Sequence, residues 1–484
     1  MKKNLFLLLL GLNSLIYAQE FTDLKGDYFG QTPPEDTPVV FAPGIISLSG
    51  RCEYATVFSP DGNECYIHRY IGDTSKIYYT RRVNNTWTEQ IEAPFSVNQN
   101  VTLCSLSADG KKLYFEKDND IWVVERAAEE WGEPQRLPSP INSDSDDGFY
   151  IETADNVAYL WSDRPGGFGN ADIWRVRHLS DQSLQAENPG PIVNSTLMQV
   201  TPCPAPDGSY LIFAQSVNGY FKLYICFNKG NGEWTAPVDM DKSGADINIL
   251  QQNSPTLSPD GKYLFFNRHT QTSSGNIADI YWVSTSIIDD IKRAVLPDPN
   301  GLIKNISTTQ RFSSIQCAID YASPNEAIII EPGIYEEGFT LDKDITLQSV
   351  VPDDPFYIGS TIIRGNPDEP VVTLRNNSLA CTLDGLTLRA GSIGISGTAT
   401  LATIRNCRIM DNATHGIELS RESNPHLLNC LITGNGQTGI TMLRSPGRTS
   451  LPCAPIIENC IIVQNGFENI VGGQPVIIDS IIQD

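Results

Sequence analysis

Three kinds of side chain in this sequence could do chemistry: imidazoles, thiols, and the Ser and Asp of a recurring Ser-Pro-Asp-Gly stretch. The five histidines, His68, His178, His269, His415 and His426, lack the HxH or HxxxH spacing that lets two imidazoles share a metal. No Gly-x-Ser-x-Gly elbow occurs, so a serine nucleophile has no support. The acidic stretch NSDSDDGFY, residues 142–150, could attract a cation, but its carboxylates do not follow the spacing of a calcium loop. It reads as a solvated connection. The net charge of −23, with no basic tract, would repel phosphate backbones and acidic membrane surfaces, which argues against nucleic acid as a partner.

The Ser-Pro-Asp-Gly stretch is repeated, and repetition changes its meaning. FSPDGNECYI, LSADGKKLYF, ETADNVAYLW, PAPDGSYLIF and LSPDGKYLFF begin at residues 58, 106, 152, 204 and 257. In each unit the turn formers precede alternating large apolar residues. Proline presets φ, aspartate bonds its own backbone and glycine accepts positive φ, which is hairpin chemistry. The third unit, with TADN, lacks the glycine. A further strand follows each hairpin (Ile77-Tyr78-Tyr79, Ile121-Trp122, Ile173-Trp174, Leu223-Tyr224, Ile280-Tyr281). A fourth is announced by Trp87, Trp131 and Trp234 and leads to the pairs Val97-Asn98, Ile141-Asn142, Val193-Asn194 and Ile247-Asn248. Four short strands in each unit of roughly 50 residues predict a β-propeller of five blades. The missing fifth ending stands near the N-terminus in VVFAPGIIS, where Ile46-Ser47 takes the pair position, so this segment should close the last blade.

This half resembles the TolB-type, WD40-like propeller repeat of exported bacterial proteins, over residues 38–292. A propeller's usual binding surface is the mouth where its inner strands begin. Six residues before each hairpin stand Glu53, Val101, Asp147, Gln199 and Gln252, and the four polar ones, Glu53, Asp147, Gln199 and Gln252, are the candidate ligand-binding residues.

Past a linker at 293–304, rich in Pro and Gly, the period changes. A short amphipathic helix is expected near 313–321, then a strand at 327–330, then short apolar triplets. Gly385, Cys407, Cys430 and Cys460 take equivalent places, and Ile395, Ile417, Ile440 and Ile470 follow ten residues after each. A constant offset within a period of 22 or 23 means stacked turns, and the one longer interval is filled by LRSPGRTSLPCA, which suits a protruding loop. Asn406, Asn429 and Asn459 should form one ladder, and Asn412, Asn435 and Asn465 another. His415 and His426, eleven residues apart, should face different ways.

Residues 305–484 therefore resemble a right-handed parallel β-helix of the pectate-lyase type, its helix capping the first rung. That resemblance implies action on acidic polysaccharide, with calcium held by carboxylates on adjacent rungs and an arginine as base. Four residues past the repeat position stand Arg389, Asp411, Gly434 and Gln464; two before it stand Leu383, Arg405, Leu428 and Glu458. Neither column stacks two carboxylates. Asp411 and Arg389 are the catalytic candidates of an enzyme reading and otherwise a surface ion pair.

At 484 residues the chain is too long for one core, and two all-β domains are expected behind an N-terminal extension at 20–37. MKKNLFLLLLGLNSLIYAQ, residues 1–19, has the layout of a secretory signal peptide, so the protein should be exported, to the periplasm or the cell surface. No later stretch is long and apolar enough to span a bilayer. Eleven cysteines is an odd count at wide spacing, and Cys407, Cys430 and Cys460 fall on repeat positions, which favours core thiols over a disulfide framework. No cofactor or metal is expected outside the lyase alternative. The functional expectation is a non-catalytic binding or scaffold protein that engages a polysaccharide or cell-surface protein. The alternative is a polysaccharide lyase or glycoside hydrolase working through the β-helix. The closing stretch VIIDSIIQD forms a rung whose open edge could pair with another molecule.

Overall fold

The computed structural model describes residues 24–483, apart from 129, 154–156, 180–182, 231–232, 273–274, 376–380 and 444–450. The leader at 1–19, the glycine-free turn of the third unit and most of the Pro/Gly/Ser-rich loop lie outside the described residues. The chain divides into two compact units after Ile291.

The first unit is a ring of five antiparallel blades. Their inner strands are Cys52–Phe58, Thr102–Leu106, Asp147–Glu152, Gln199–Pro204 and Gln251–Leu257. In three blades the outer strand is broken into two short pieces, the first containing Trp87, Trp131 or Trp234. Blade 5 lacks an outer strand of its own; Val39–Val40 supplies it, with Val39 opposite Trp282 and Val40 opposite Tyr281. Aromatic and aliphatic side chains fill the space between neighbouring blades, as where Phe41, Phe58, Phe265 and Trp282 pack between blades 5 and 1.

The Ser-Pro-Asp-Gly turns are structural. Ser107 Oγ donates to Asp109 Oδ1 (2.7 Å) and accepts from the Lys112 N–H (2.9 Å), while Asp109 Oδ1 accepts from the Lys111 N–H (3.0 Å). The same three bonds recur at Ser59 and Asp61 and at Ser258 and Asp260. Gly62, Gly110, Gly208 and Gly261 all have φ of 68–69°. The Lys111 amide and the Ser107 hydroxyl hold the Asp109 carboxyl below the usual carboxylate range.

Each blade is also clasped by a side chain that imitates a strand. Asn142 accepts from the Ile121 N–H (2.8 Å) and donates to the Ile121 carbonyl (2.8 Å); Asn194 does the same to Ile173, and Asn248 to Leu223. In blade 5 the clasp is Ser47, bonded to both the N–H and the carbonyl of Ile280. Blade 1 departs from the expected Val97-Asn98 pair: Ser96 Oγ accepts from the Ile77 N–H (2.9 Å), and Asn98 instead takes a positive-φ turn.

The second unit stacks three parallel sheets around one apolar core. Helix α1, Ser286–Val295, straddles the boundary between the units and buries Ile287, Ile288 and Ile291, where the sequence suggested only a connection. Helix α2, Ile315–Tyr321, is started by Ser314, whose side chain accepts from the Cys317 N–H, and it covers the first rung. The strand after it runs Ala327–Ile330. Ile395, Ile417, Ile440 and Ile470 align in one column. Both asparagine ladders are present: Asn429 donates to Asn406 (3.1 Å) and Asn459 to Asn429 (2.6 Å), while Asn412 donates to Asn435 and Asn435 to Asn465, each at 2.9 Å. His415 and His426 lie on different sheets.

One register differs from the sequence reading. Asp384 pairs with Arg405 and Thr387 with Arg408, so Gly385 matches Asn406 and it is Leu386 that matches Cys407. Gly385 and Asn406 both occupy positive-φ corners (70° and 55°), a conformation either residue accepts. The ten described cysteines whose side chains are placed are all free, nine of them buried. On the last described rung, Ile477 and Ile482 occupy columns that elsewhere form core, yet they are 48% and 36% exposed.

Replacing Asn194 by alanine strips both backbone groups of Ile173 of their partner, and should cost the propeller about 2–3 kcal/mol, since each buried group left unsatisfied costs roughly 1–3 kcal/mol. Urea denaturation followed by tryptophan fluorescence measures this; a loss below about 0.5 kcal/mol would contradict the clasp. In the β-helix, which has no tryptophan, Asn435→Ala should be similarly destabilising, whereas the more exposed Asn459→Ala should cost less than half as much, read from urea unfolding followed by far-UV circular dichroism.

Candidate functional site on the propeller

The four polar residues at the start of the inner strands are fully buried: Glu53, Asp147, Gln199 and Gln252 each have 0% exposure. Three of them have a side-chain partner on, or just past, the neighbouring strand. Glu53 pairs with Arg69 (2.9 Å), Asp147 with Arg164 (2.5 Å), and Gln199 donates to Gln215 (3.1 Å). Gln252 lies opposite Arg268, and its two side-chain polar atoms have no partner among the described residues. The structure does not bring the four together; each stays within its own blade.

The arginines are the residues that sequence reasoning missed. Arg69 donates to the Ile46 carbonyl, Arg164 to those of Pro140 and Ile141, and Arg268 to those of Asp246 and Ile247. All these carbonyls belong to the segment that clasps the preceding blade. Each guanidinium also lies over a ring of its own blade's third strand, Tyr78, Trp174 or Tyr281. The signal was available as an arginine 16 or 17 residues after Glu53, Asp147 and Gln252. Burial pushes the Glu53 carboxyl upward, against the pull of Arg69.

Just past these positions every inner strand has a register shift, between Glu53 and Ala55, Leu103 and Ser105, Gly148 and Ile151, Val200 and Cys203, and Asn253 and Thr256. Such bulges re-aim side chains and are common beside functional sites. Tyr54, on the bulge of blade 1, gathers a polar group from blades 5 and 1: Asn253 Nδ2 donates to its hydroxyl (2.9 Å), Asn267 Nδ2 to its carbonyl (2.7 Å), and its ring lies 5.1 Å from His68 and 6.1 Å from His269. Ser75 Oγ donates to the Val101 carbonyl and so accepts the proton on His68 Nε2, leaving the buried His68 Nδ1 a free acceptor. Burial drives the His68 pKa down to about 3, so this imidazole is neutral at physiological pH. Glu116, in blade 2, is raised to about 7 by burial and then by repulsion from Asp146.

On the same face, where inner strands begin, a cavity of about 720 Å³ opens between blades 4 and 5. Its walls are the turn at 217–220, Lys222, the connection 248–251, and His269. Aromatic, amide, cationic and aliphatic groups meet there.

The acidic run at 142–150 is committed to structure. Asn142 is the clasp, and Ser143 donates twice to Asp147. On the β-helix, Arg389 and Asp411 are 3.0 Å apart and each about two-fifths exposed. With the register corrected, Arg389 aligns with Met410, and the column two before Cys407 begins with Asp384 instead of Leu383. That column, Asp384, Arg405, Leu428, Glu458, holds two carboxylates, but Asp384 is paired with Arg405 (2.7 Å) and Glu458 with His426 (3.0 Å). Among the described residues no three metal-ligating side chains converge.

Two measurements follow. Glu116 binds its proton more tightly when folded, so its contribution to stability is complete below the ordinary glutamate range and is lost as pH rises through about 7. Glu116→Gln should flatten the fall in propeller stability between pH 5 and pH 8; an unchanged slope would count against it. Arg389→Ala should change β-helix stability by less than about 0.5 kcal/mol, as exposed ion pairs do, and a larger loss in thermal unfolding would show that the pair is more than a surface contact.

Residues 363–481 match the family described as "Right handed beta helix region". No curated protein sequence matches the chain. Among solved structures, TolB from Acinetobacter baumannii is similar at 13% identity and a TM-score of 0.30, over 48% of this chain and 57% of that one. A thermostable family-43 glycoside hydrolase is similar at 12% identity and 0.33, over 50% and 91%. The catalytic domain of a GH62 alpha-L-arabinofuranosidase from Coprinopsis cinerea is similar at 9% identity and 0.36, over 52% and 98%. The chain thus spans little more than half of the Acinetobacter protein. No helix among the described residues is long and apolar enough to cross a membrane. From its own strand order and the one family match, the chain is a five-bladed β-propeller joined to a right-handed parallel β-helix.

Proposed function

We propose that the protein is an exported binding protein whose propeller engages a protein or glycan at the face where its inner strands begin, with the β-helix as a rigid platform. The cavity between blades 4 and 5 carries this reading. Its volume of about 720 Å³ lies within the roughly 300–1,000 Å³ of pockets that hold small ligands, and its lining mixes apolar surface with a few polar groups. Support for export comes from the leader at 1–19. The buried Glu53 and Asp147 would then serve the face from beneath, by fixing Arg69 and Arg164, which hold neighbouring blades in place, while Gln199 pairs with Gln215 and Gln252 lies opposite Arg268.

A second reading, a polysaccharide lyase or hydrolase, draws on Arg389, whose Nε is buried without a partner beside Asp411. Calcium would be its expected cofactor. Incubating the protein with acidic and neutral polysaccharides, with and without calcium, separates the two. Saturable binding without new unsaturated or reducing ends is expected. Turnover abolished by Arg389→Ala or Asp411→Asn would replace the binding reading with the enzymatic one.

A further inference from the structure

The cavity between blades 4 and 5 has a chemistry that narrows its ligand. On one wall Tyr220 and Lys222 stand two residues apart on the strand Tyr220–Gly230, so both project from the same side of blade 4. Tyr220, at the turn, is 61% exposed, and Lys222 is half-buried one step deeper. On the other wall Gln251 and His269 lie directly opposite each other on adjacent strands of blade 5 and therefore share a side of that blade. Ile249 and Leu250 complete the rim and are 58% and 45% exposed.

The charge of this cavity is the reverse of the protein's. The chain has 57 acidic residues against 34 lysines and arginines, yet none of the residues lining the cavity is acidic. Lys76, Lys112 and Lys262 each sit against a carboxylate, whereas Lys222 has no ion-pair partner among the described residues. Across from it, His269 Nε2 is buried with no hydrogen-bond partner. A half-buried ammonium without a counter-ion suits an incoming carboxylate. The apolar rim suits what must be attached to that carboxylate. A uronic acid would place hydroxyls against Ile249 and Leu250, which offer them no hydrogen bonds; a chain terminus would place an aliphatic or aromatic side chain there.

We propose that this cavity captures the free C-terminal carboxylate of a protein or peptide ending in apolar residues. Lys222 pairs with the carboxylate, and Tyr220, Ile249 and Leu250 cover the last side chains. The capture of a terminal carboxylate is an established mode of peptide recognition on other scaffolds. This assignment rests on the reading of the propeller as the binding half.

Fluorescence anisotropy of the full chain with a labelled Gly-Ser-Gly-Ala-Leu-Phe peptide tests it, using the free acid and the C-terminal amide. The acid should bind at least tenfold more tightly than the amide. Lys222→Met should remove that difference, Lys222→Arg should keep most of it, and Leu250→Ser should weaken both forms. Equal binding of acid and amide, or no binding of either by protein whose melting curve is normal, overturns the proposal. If oligogalacturonate binds in a Lys222-dependent manner and the peptide does not, the peptide assignment falls while the binding reading stands. Glycan turnover in the preceding experiment would remove the binding reading itself.

Discussion

The propeller depends on one small substitution of side chain for backbone. In each blade a carboxamide or hydroxyl from the closing segment pairs with an N–H of the third strand that its broken outer neighbour leaves unmet, and in blades 2 to 5 with the carbonyl of the same residue as well. A buried backbone group cannot be left unpaired without a penalty on the order of kcal/mol, so the clasp fixes where the closing segment must lie. Everything further along the chain inherits that position. The carbonyls beside the clasp become the acceptors for Arg69, Arg164 and Arg268 of the next blade, and Arg69 and Arg164 are in turn held by the buried carboxylates Glu53 and Asp147. The connection that forms a wall of the cavity, 248–251, starts at a clasp residue, Asn248.

The β-helix uses the same carboxamide chemistry in another geometry. There the amide bonds to its own image one rung away, so the network runs along the stack instead of closing each unit separately. Asn406, Asn429 and Asn459 sit at positive-φ corners, where asparagine is tolerated and its amide points along the stack. Asp384 ends that ladder by accepting from Asn406 (2.7 Å). The ladder therefore begins on a charge that also pairs with Arg405, which ties backbone conformation, amide stacking and surface electrostatics to one corner.

The number of blades, the N-terminal closing strand, the helix on the first rung and both asparagine ladders were legible because each rests on a local rule: a turn that needs positive φ, a capping serine, or a strict period. The departures have equally definite causes. Ser96 was passed over for Asn98 because a hydroxyl and a carboxamide can satisfy the same amide from different distances along the chain. Gly385 was placed with Cys407, one residue out of register, because it is followed ten residues later by Ile395, although the true equivalent of Cys407 is Leu386 and the turn between them is one residue longer in later rungs. The arginines escaped notice because their recurrence 16 or 17 residues after the inner-strand position stands out only once the strand pairing is known, and several of their partners are backbone carbonyls. The cavity was illegible for a different reason. Tyr220 and His269 come from two blades, and nothing local to either predicts that they line one cavity.

The strand Val39–Val40 imposes an order of events on folding. Its partners, Tyr281 and Trp282, lie about 240 residues further on, so the bond that completes the ring joins nearly the first and last segments of the propeller to appear during synthesis. Contacts of such separation carry the largest loop-closure entropy and form late. Until blade 5 exists, the first segment has no edge to join and blade 1 has an uncovered flank. The ring therefore stays an open ribbon of blades until the chain has been made at least as far as Trp282.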